Sequence, residues 1–250
     1  MLTSHEQGWY SFADGIRWRI RAPQYLCEVG EANHIPSYKH LPSAVSKVQR
    51  IKAFYQRHKI ALGQLDALGT GIDILVANAM TESLGTVPSP LEYTQLSEYY
   101  RLLEGEDGQR LDALVRYIAS TPGARYLERR EPGYINPLAT PARVSLGSHH
   151  MLLSTALDVM GKKSVPETAK RAIIRELCLS LPSQSLKAAE LAAAYLNRLY
   201  HKHLNHPPLV AATYNAGSPR YTSANPWHLV QYGQHIDRWI AYYNTSRMIP

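Results

Sequence analysis

The stretch Ile72-Asp-Ile-Leu-Val-Ala-Asn-Ala-Met-Thr-Glu82-Ser83-Leu-Gly85 constrains the fold of this chain more than any other. It is a short apolar helix with one carboxylate at its far end, and no apolar run in the chain approaches the about 18 residues of a membrane span. Thr70 is placed to cap its start, and Asp73, three residues on, completes a capping box. Leu75, Val76, Ala79, Met80 and Ser83 repeat at helical spacing and are expected to face a core. Gly85 stops the helix, with Pro88 and Pro90 just beyond. Glu82 therefore falls in the last turn, on the face of Ile74 and Asn78. The partial negative charge of a helix C-terminus disfavours an ionised carboxylate there, and apolar surroundings act in the same direction. A carboxyl kept protonated near neutral pH is what a general acid needs. The competing reading is a solvated surface glutamate closing a core helix.

The remaining chain is mostly helical in pattern. Residues 1–40 carry Trp9, Tyr10, Phe12, Trp18 and Tyr25 with little clean periodicity, and Pro36 and Pro42 bracket a turn. From Ser43, the residues Val45, Val48, Ile51, Tyr55 and His58 line one helix face, with Lys47, Arg50, Lys52 and Arg57 mostly elsewhere. Two further helical stretches, Tyr99–Glu104 and Leu111–Ser120, precede a long irregular segment over 125–143, rich in proline, of the kind that often carries function. Leu152, Thr155, Ala156 and Val159 share a face before Gly161, and Pro166 opens another helix with Ala169, Ile173 and Leu177. An Ala-rich helix over 186–204 keeps Ala189, Ala193, Leu196 and Tyr200 in register. Pro207 and Pro208 open a short helix over 209–216, closed by Gly217, and a last helix carries the stripe Leu229, Tyr232, Ile236, Trp239 and Tyr243. The fold class is mainly α, with room for a small β-hairpin near 130–145.

A net charge of +7 favours an anionic partner such as nucleic acid, a membrane surface or a bacterial envelope polymer, but Lys and Arg form no run, and a generally basic surface fits as well. Tyr is abundant at 17 and Phe scarce at 2, a bias that suits a wet groove or ordinary core edges. Cys27 and Cys178 make no disulfide framework and no CxxC, and read as buried thiols. The first residues show no basic region followed by an apolar run, so no signal peptide is expected and delivery to any external substrate would fall to another system. His201, His203 and His206 lack HExxH spacing and a neighbouring cysteine or carboxylate, while adjacent His149 and His150 would point apart on a helix. No metal and no cofactor are expected.

Three motifs taken in order carry a resemblance. Thr81-Glu82-Ser83 ends an apolar helix; Ser145-Leu-Gly147-Ser-His149-His150 runs on to Thr155-Ala156; and Ala212-Thr-Tyr214-Asn215-Ala-Gly217 follows the Ala-rich helix. Together they resemble the lytic transglycosylases of the lysozyme superfamily, in which a helix ends in Glu-Ser, a second motif reads Ser, then Gly-Leu-Met-Gln two residues on, then Thr-Ala, and a third reads Ala-Ala-Tyr-Asn-Ala-Gly. The resemblance spans about residues 70–245, and the loop from Arg129 to Tyr134 is similar to that of phage-type and effector-type members. It implies a lysozyme-like domain over 66–250 with an insertion at about 86–140, preceded by an N-terminal helical extension over 1–65.

The resemblance also implies a chemistry. Glu82 would protonate the leaving oxygen of a muramyl β-1,4 bond, then take the proton of the muramyl 6-hydroxyl as it closes to a 1,6-anhydro sugar, with the N-acetyl group as internal nucleophile. Ser83, Ser145, Gly147, His150, Tyr214 and Asn215 would bind the glycan. His150 stands where the family has Gln, which substitutes a titrating ring for an amide. Glu131, or Glu128, is a candidate second carboxylate; if it faced Glu82 across the sugar, hydrolysis by water would be the expected outcome. The expected partner is peptidoglycan, reached by a phage or secretion route, with no nucleic acid and no membrane span. Rival readings are a hydrolytic muramidase of the same fold, a glycan-binding or assembly module that has lost catalysis, and a nucleic-acid binder supported by charge alone.

Overall fold

The computed structural model describes residues 1–30, 34–84, 145–146, 149–161, 186–203, 205–231 and 234–250. The expected helices over 99–120, the segment over 125–143 and the helix opened by Pro166 lie outside them. The chain divides into two compact units, Met1–Gly85 with Ala192–Pro250, and Thr86–Leu191.

Among the described residues, the N-terminal stretch over 1–65 is α-helical only in its second part, Pro42–His58. It begins with four antiparallel strands, β1 (Leu2–Ser4), β2 (Tyr10–Phe12), β3 (Trp18–Arg21) and β4 (Leu26–Val29), paired in chain order. The cause lies in the last two strands. In β4, Leu26, Cys27 and Glu28 are all buried. Register places Arg19 directly opposite Glu28, and Arg19 and Arg21 both pair with that buried carboxylate. Opposite charges facing across an antiparallel pair stabilise the ladder. Gly15 lets this sheet meet the 226–227 loop: a Cβ there would lie 2.7 Å from the Trp227 carbonyl oxygen, and Ile16 N–H donates to Pro226 O at 2.9 Å.

Helix follows from α1 (Pro42–His58), whose first residue is a proline where a missing N–H costs nothing. Val48, Ile51 and Tyr55 are buried as their spacing predicts, but Lys52 is buried too, and His58 is exposed. A short 3₁₀ turn (Gly63–Asp66) leads into α2 (Gly71–Ala79), which continues as a π-helical turn (Met80–Leu84). Every residue of α2 except Ile72 is buried, so the helix is central rather than one-sided. The expected capping box does not form. Asp66 Oδ1 accepts the Gly71 N–H at 3.1 Å, while Asp73 turns to Ser246, Lys52 and Arg247.

In the second unit a two-stranded hairpin, β5 (Ser145–Leu146) with β6 (Met151–Leu152), precedes α3 (Leu153–Val159). The helices α4 (Leu186–Lys202), α5 (Pro207–Ala216) and α6 (His235–Met248) complete the described chain. Gly217, at φ +73°, closes α5 by donating its N–H to Thr213 O at 2.7 Å. Leu229 of the expected last stripe lies before α6, in a bridge with Tyr221, whereas Ile236, Trp239 and Tyr243 are buried within it.

The first unit is assembled around α6, which packs on α1, α2, α5, β4 and the π turn. Polar groups do much of this. Asn244 accepts Cys27 N–H at 2.8 Å and donates to Cys27 O and Pro36 O, completing the edge of β4. The Tyr243 hydroxyl donates to Tyr25 O at 2.8 Å, and the Thr245 hydroxyl accepts Tyr38 N–H at 2.7 Å. Buried backbone groups left open by a short sheet would each cost on the order of 1–3 kcal/mol, so these side chains act as a substitute strand. The whole is mainly α with a small antiparallel sheet. Among the described residues no helix is long and apolar enough to cross a membrane.

Candidate functional site

Glu82 reaches its position through the π turn. The Met80 N–H is shared between the Val76 and Ala77 carbonyls, and the Thr81 hydroxyl donates to Ala77 O at 2.7 Å. A hydroxyl competing for a helix carbonyl loosens the ladder, and a widened turn changes which way the next side chain leaves the helix. Such turns occur frequently at functional sites. Glu82 thereby leaves the otherwise buried helix with a side chain 9% exposed, shielded but not sealed.

Two elements meet it there. Asn215, in the last turn of α5, donates from Nδ2 to Glu82 Oε1 at 3.0 Å. His235, the first residue of α6, places Nε2 3.6 Å from the same oxygen and 3.3 Å from Asn215 Nδ2. The His235 ring is 5% exposed, and burial, then the nearby Arg238 charge, push it down to about 4, so it is neutral at pH 7. Tyr214 packs beside them, edge-on to Tyr195 with ring centroids 5.5 Å apart. Burial first, then the Glu82 charge, hold its phenol well above the usual value, so it keeps its O–H. Asn215 is the exposed member and forms the lip of the cluster.

Of the residues singled out from sequence, Glu82, Tyr214 and Asn215 come together in the first unit. The Ser83 side chain lies outside the described residues, as do Gly147, Glu128 and Glu131. Ser145 and His150 belong to the second unit, on the β5–β6 hairpin. His150 has φ +45°, the left-handed conformation of a tight turn, and not a helical one. His149 before it is fully buried, and burial, then His150, push its pKa down to about 3.

Sequence reasoning missed His235. Eleven histidines are present, and its place at a helix start has no spacing relation to the three motifs. It also missed the Asp73 cluster, because the polar residues that build it, Lys52, Ser246 and Arg247, come from two other helices. His206 packs into the core beneath the N-terminal sheet. Trp18 Nε1 donates to His206 Nδ1 at 3.3 Å, Tyr10 packs edge-on to the same ring, and burial, then His203, push His206 down to about 4. Among the described residues no three His, Cys, Asp or Glu gather as a metal site.

This arrangement offers a shielded carboxyl, an exposed amide fixed to it, a neutral imidazole and a phenol that stays protonated. It can donate and accept a proton at one oxygen while hydrogen-bonding a polar substrate at its lip. Compared with protein-family models, with curated proteins and with solved structures, the chain matches none.

Proposed function

We propose that this chain is a lytic transglycosylase of lysozyme-like fold, cleaving the β-1,4 bond between N-acetylmuramic acid and N-acetylglucosamine in peptidoglycan. The observation that carries this reading is the 3.0 Å hydrogen bond from Asn215 to Glu82, which joins the ends of two motifs far apart in the chain. Glu82 protonates the bridging oxygen as the muramyl C1–O bond breaks, and the acetamido oxygen bonds to C1. The Glu82 carboxylate then takes the proton of the 6-hydroxyl, whose oxygen displaces the acetamido group from C1. The product carries a 1,6-anhydro ring, and Glu82 is again protonated. No water, metal or cofactor enters. Tyr214 and Asn215 face the sugar beside the acid. The +7 net charge would hold the protein on an anionic wall, after delivery by a phage or secretion route.

Digestion of purified sacculi followed by mass spectrometry tests the reading. The expected products end in anhydromuramyl groups, one water lighter than hydrolysed ends. Hydrolysed ends alone would replace it with the muramidase reading and its second carboxylate, Glu131 or Glu128. No cleavage, with wall binding retained by wild type and Glu82→Gln alike, would make the protein a glycan-binding module.

A further inference from the structure

His235 takes no part in the proton transfers just described, yet it is buried against the group that makes them. Asn215 Nδ2 carries two hydrogens, and two acceptors lie within reach, Glu82 Oε1 at 3.0 Å and His235 Nε2 at 3.3 Å. The direct separation between Nε2 and Oε1 is 3.6 Å, beyond a hydrogen bond. The two acceptors are therefore joined through the amide and not through a proton of their own. We infer that His235 is the positioning residue of this site: its Nε2 accepts the second hydrogen of Asn215, so that the amide cannot rotate away from Glu82 Oε1.

This assigns a tautomer, with the ring proton on Nδ1 and the lone pair on Nε2. On the carboxyl side, Oε1 accepts from the Asn215 amide. Because Asn215 is exposed, it has no packing of its own to hold the rotamer; the bond to a buried ring supplies that restraint. A neutral ring is required, because an imidazolium has no lone pair for the amide. The burial of His235 at the start of α6, beside Arg238, keeps it in that form. The part of this inference that concerns turnover rests on the transglycosylase reading; the amide lock itself does not.

The test separates the two. His235→Leu keeps an apolar ring-sized group and removes the acceptor, whereas His235→Gln restores an oxygen that can accept from Asn215. With sacculi as substrate, His235→Leu is expected to lower kcat about 10- to 100-fold at nearly unchanged KM, and His235→Gln to recover most of it. Equal loss in both variants, or none in the leucine variant, overturns the inference, since a packing role would not distinguish them. Independently of turnover, nitrogen-15 spectra at pH 7 should show His235 with Nδ1 protonated and Nε2 as acceptor, and the Asn215 amide protons should be distinct and slow to exchange in wild type and in His235→Gln but not in His235→Leu. A ring protonated on Nε2 overturns the lock. If wild type shows the lock but releases no anhydro ends, the transglycosylase reading fails and the positioning of Asn215 stands.

Discussion

The two ends of α2 carry one carboxylate each and treat it in opposite ways. Asp73 near the start is held by three neighbours: Ser246 Oγ donates at 2.6 Å, Arg247 Nη1 at 2.8 Å, and Lys52 Nζ lies at 3.3 Å. Lys52 also donates to the Ser246 and Ile249 carbonyls at 2.7 and 2.8 Å, so the cation is fully engaged. The Asp73 side chain is 4% exposed. Two cations and a hydroxyl around a buried carboxylate fix its geometry. Glu82 at the other end is nearly as shielded, but its Oε1 accepts from an exposed amide and lies 3.6 Å from a ring held neutral. The first arrangement anchors α1, α2 and α6 to one another. The second sets an uncharged amide and an uncharged ring beside one carboxyl oxygen. Burial alone does not mark an acid; the charge of its neighbours does.

Exchanging the carboxylates for amides should separate the two roles completely. Glu82→Gln is expected to lower release of anhydromuropeptides by about 10³-fold or more while leaving Tm within a few degrees of wild type. Asp73→Asn should do the reverse. It leaves the buried Lys52 and the partly exposed Arg247 without their counter-charge, at a cost of about 3–5 kcal/mol, or a Tm lower by about 10 °C, with turnover unchanged at temperatures where the variant is folded. The contrast collapses if the asparagine variant, still folded by circular dichroism, is as inactive as the glutamine one.

How far each end could be read from the sequence follows from how local its construction is. α5 with its opening prolines and closing glycine and the core register of α1 and α4 are set within a few residues, and the spacing revealed them, whereas for α2 it gave one core face of a helix that is buried nearly all round. Glu82, Tyr214 and Asn215 were legible as motif residues. The direction in which Glu82 leaves the helix was not, because no spacing pattern marks the π turn in which Thr81 donates its hydroxyl to Ala77 O. The sheet was missed because its strands are three or four residues long, too short for a period of two to emerge, and because register, which brings Arg19 opposite Glu28, is a pairing property. The Asp73 cluster was misread as a capping box since a Thr-x-x-Asp spacing looks the same whether the carboxylate turns back to its own helix or outward to Lys52 and Arg247.

A smaller perturbation grades the anchoring end. Arg247 is the outer cation, 19% exposed, and it also donates to the Gly69 and Gln24 carbonyls at 2.9 Å each. Arg247→Met keeps the stem over the apolar surface and leaves Lys52 with Asp73. The expected loss is about 1–3 kcal/mol, below that of Asp73→Asn, by urea denaturation. A loss equal to that of Asp73→Asn would mean that Arg247, and not the buried lysine, holds the carboxylate.

Acid should weaken the Glu82 end through its histidine, and the sign can be worked out. His235 is pushed down to about 4 in the folded chain from an ordinary 6.5, and His206, under Trp18, is pushed down to about 4 as well. Above pH 6.5 both rings are neutral, folded or unfolded, and contribute no pH dependence. As pH falls from 6.5, the unfolded chain takes up these protons first, so stability declines down to about pH 4, where the folded rings protonate too and the decline levels off. His206→Asn keeps an oxygen near the Nδ1 position to accept from Trp18, and His235→Gln keeps an acceptor for Asn215; neither side chain titrates. Each variant should therefore show a shallower fall in unfolding free energy between pH 6.5 and pH 4 than wild type, and the double variant the shallowest, while all four proteins differ little at pH 7.5. If the slope in urea titrations is the same in all four, the acid sensitivity resides elsewhere and His235 is not held neutral by the fold. If only His206→Asn flattens it, the ring beside Glu82 can charge at little cost, and the distinction between an end clamped by ions and an end kept neutral would have to be given up for the site.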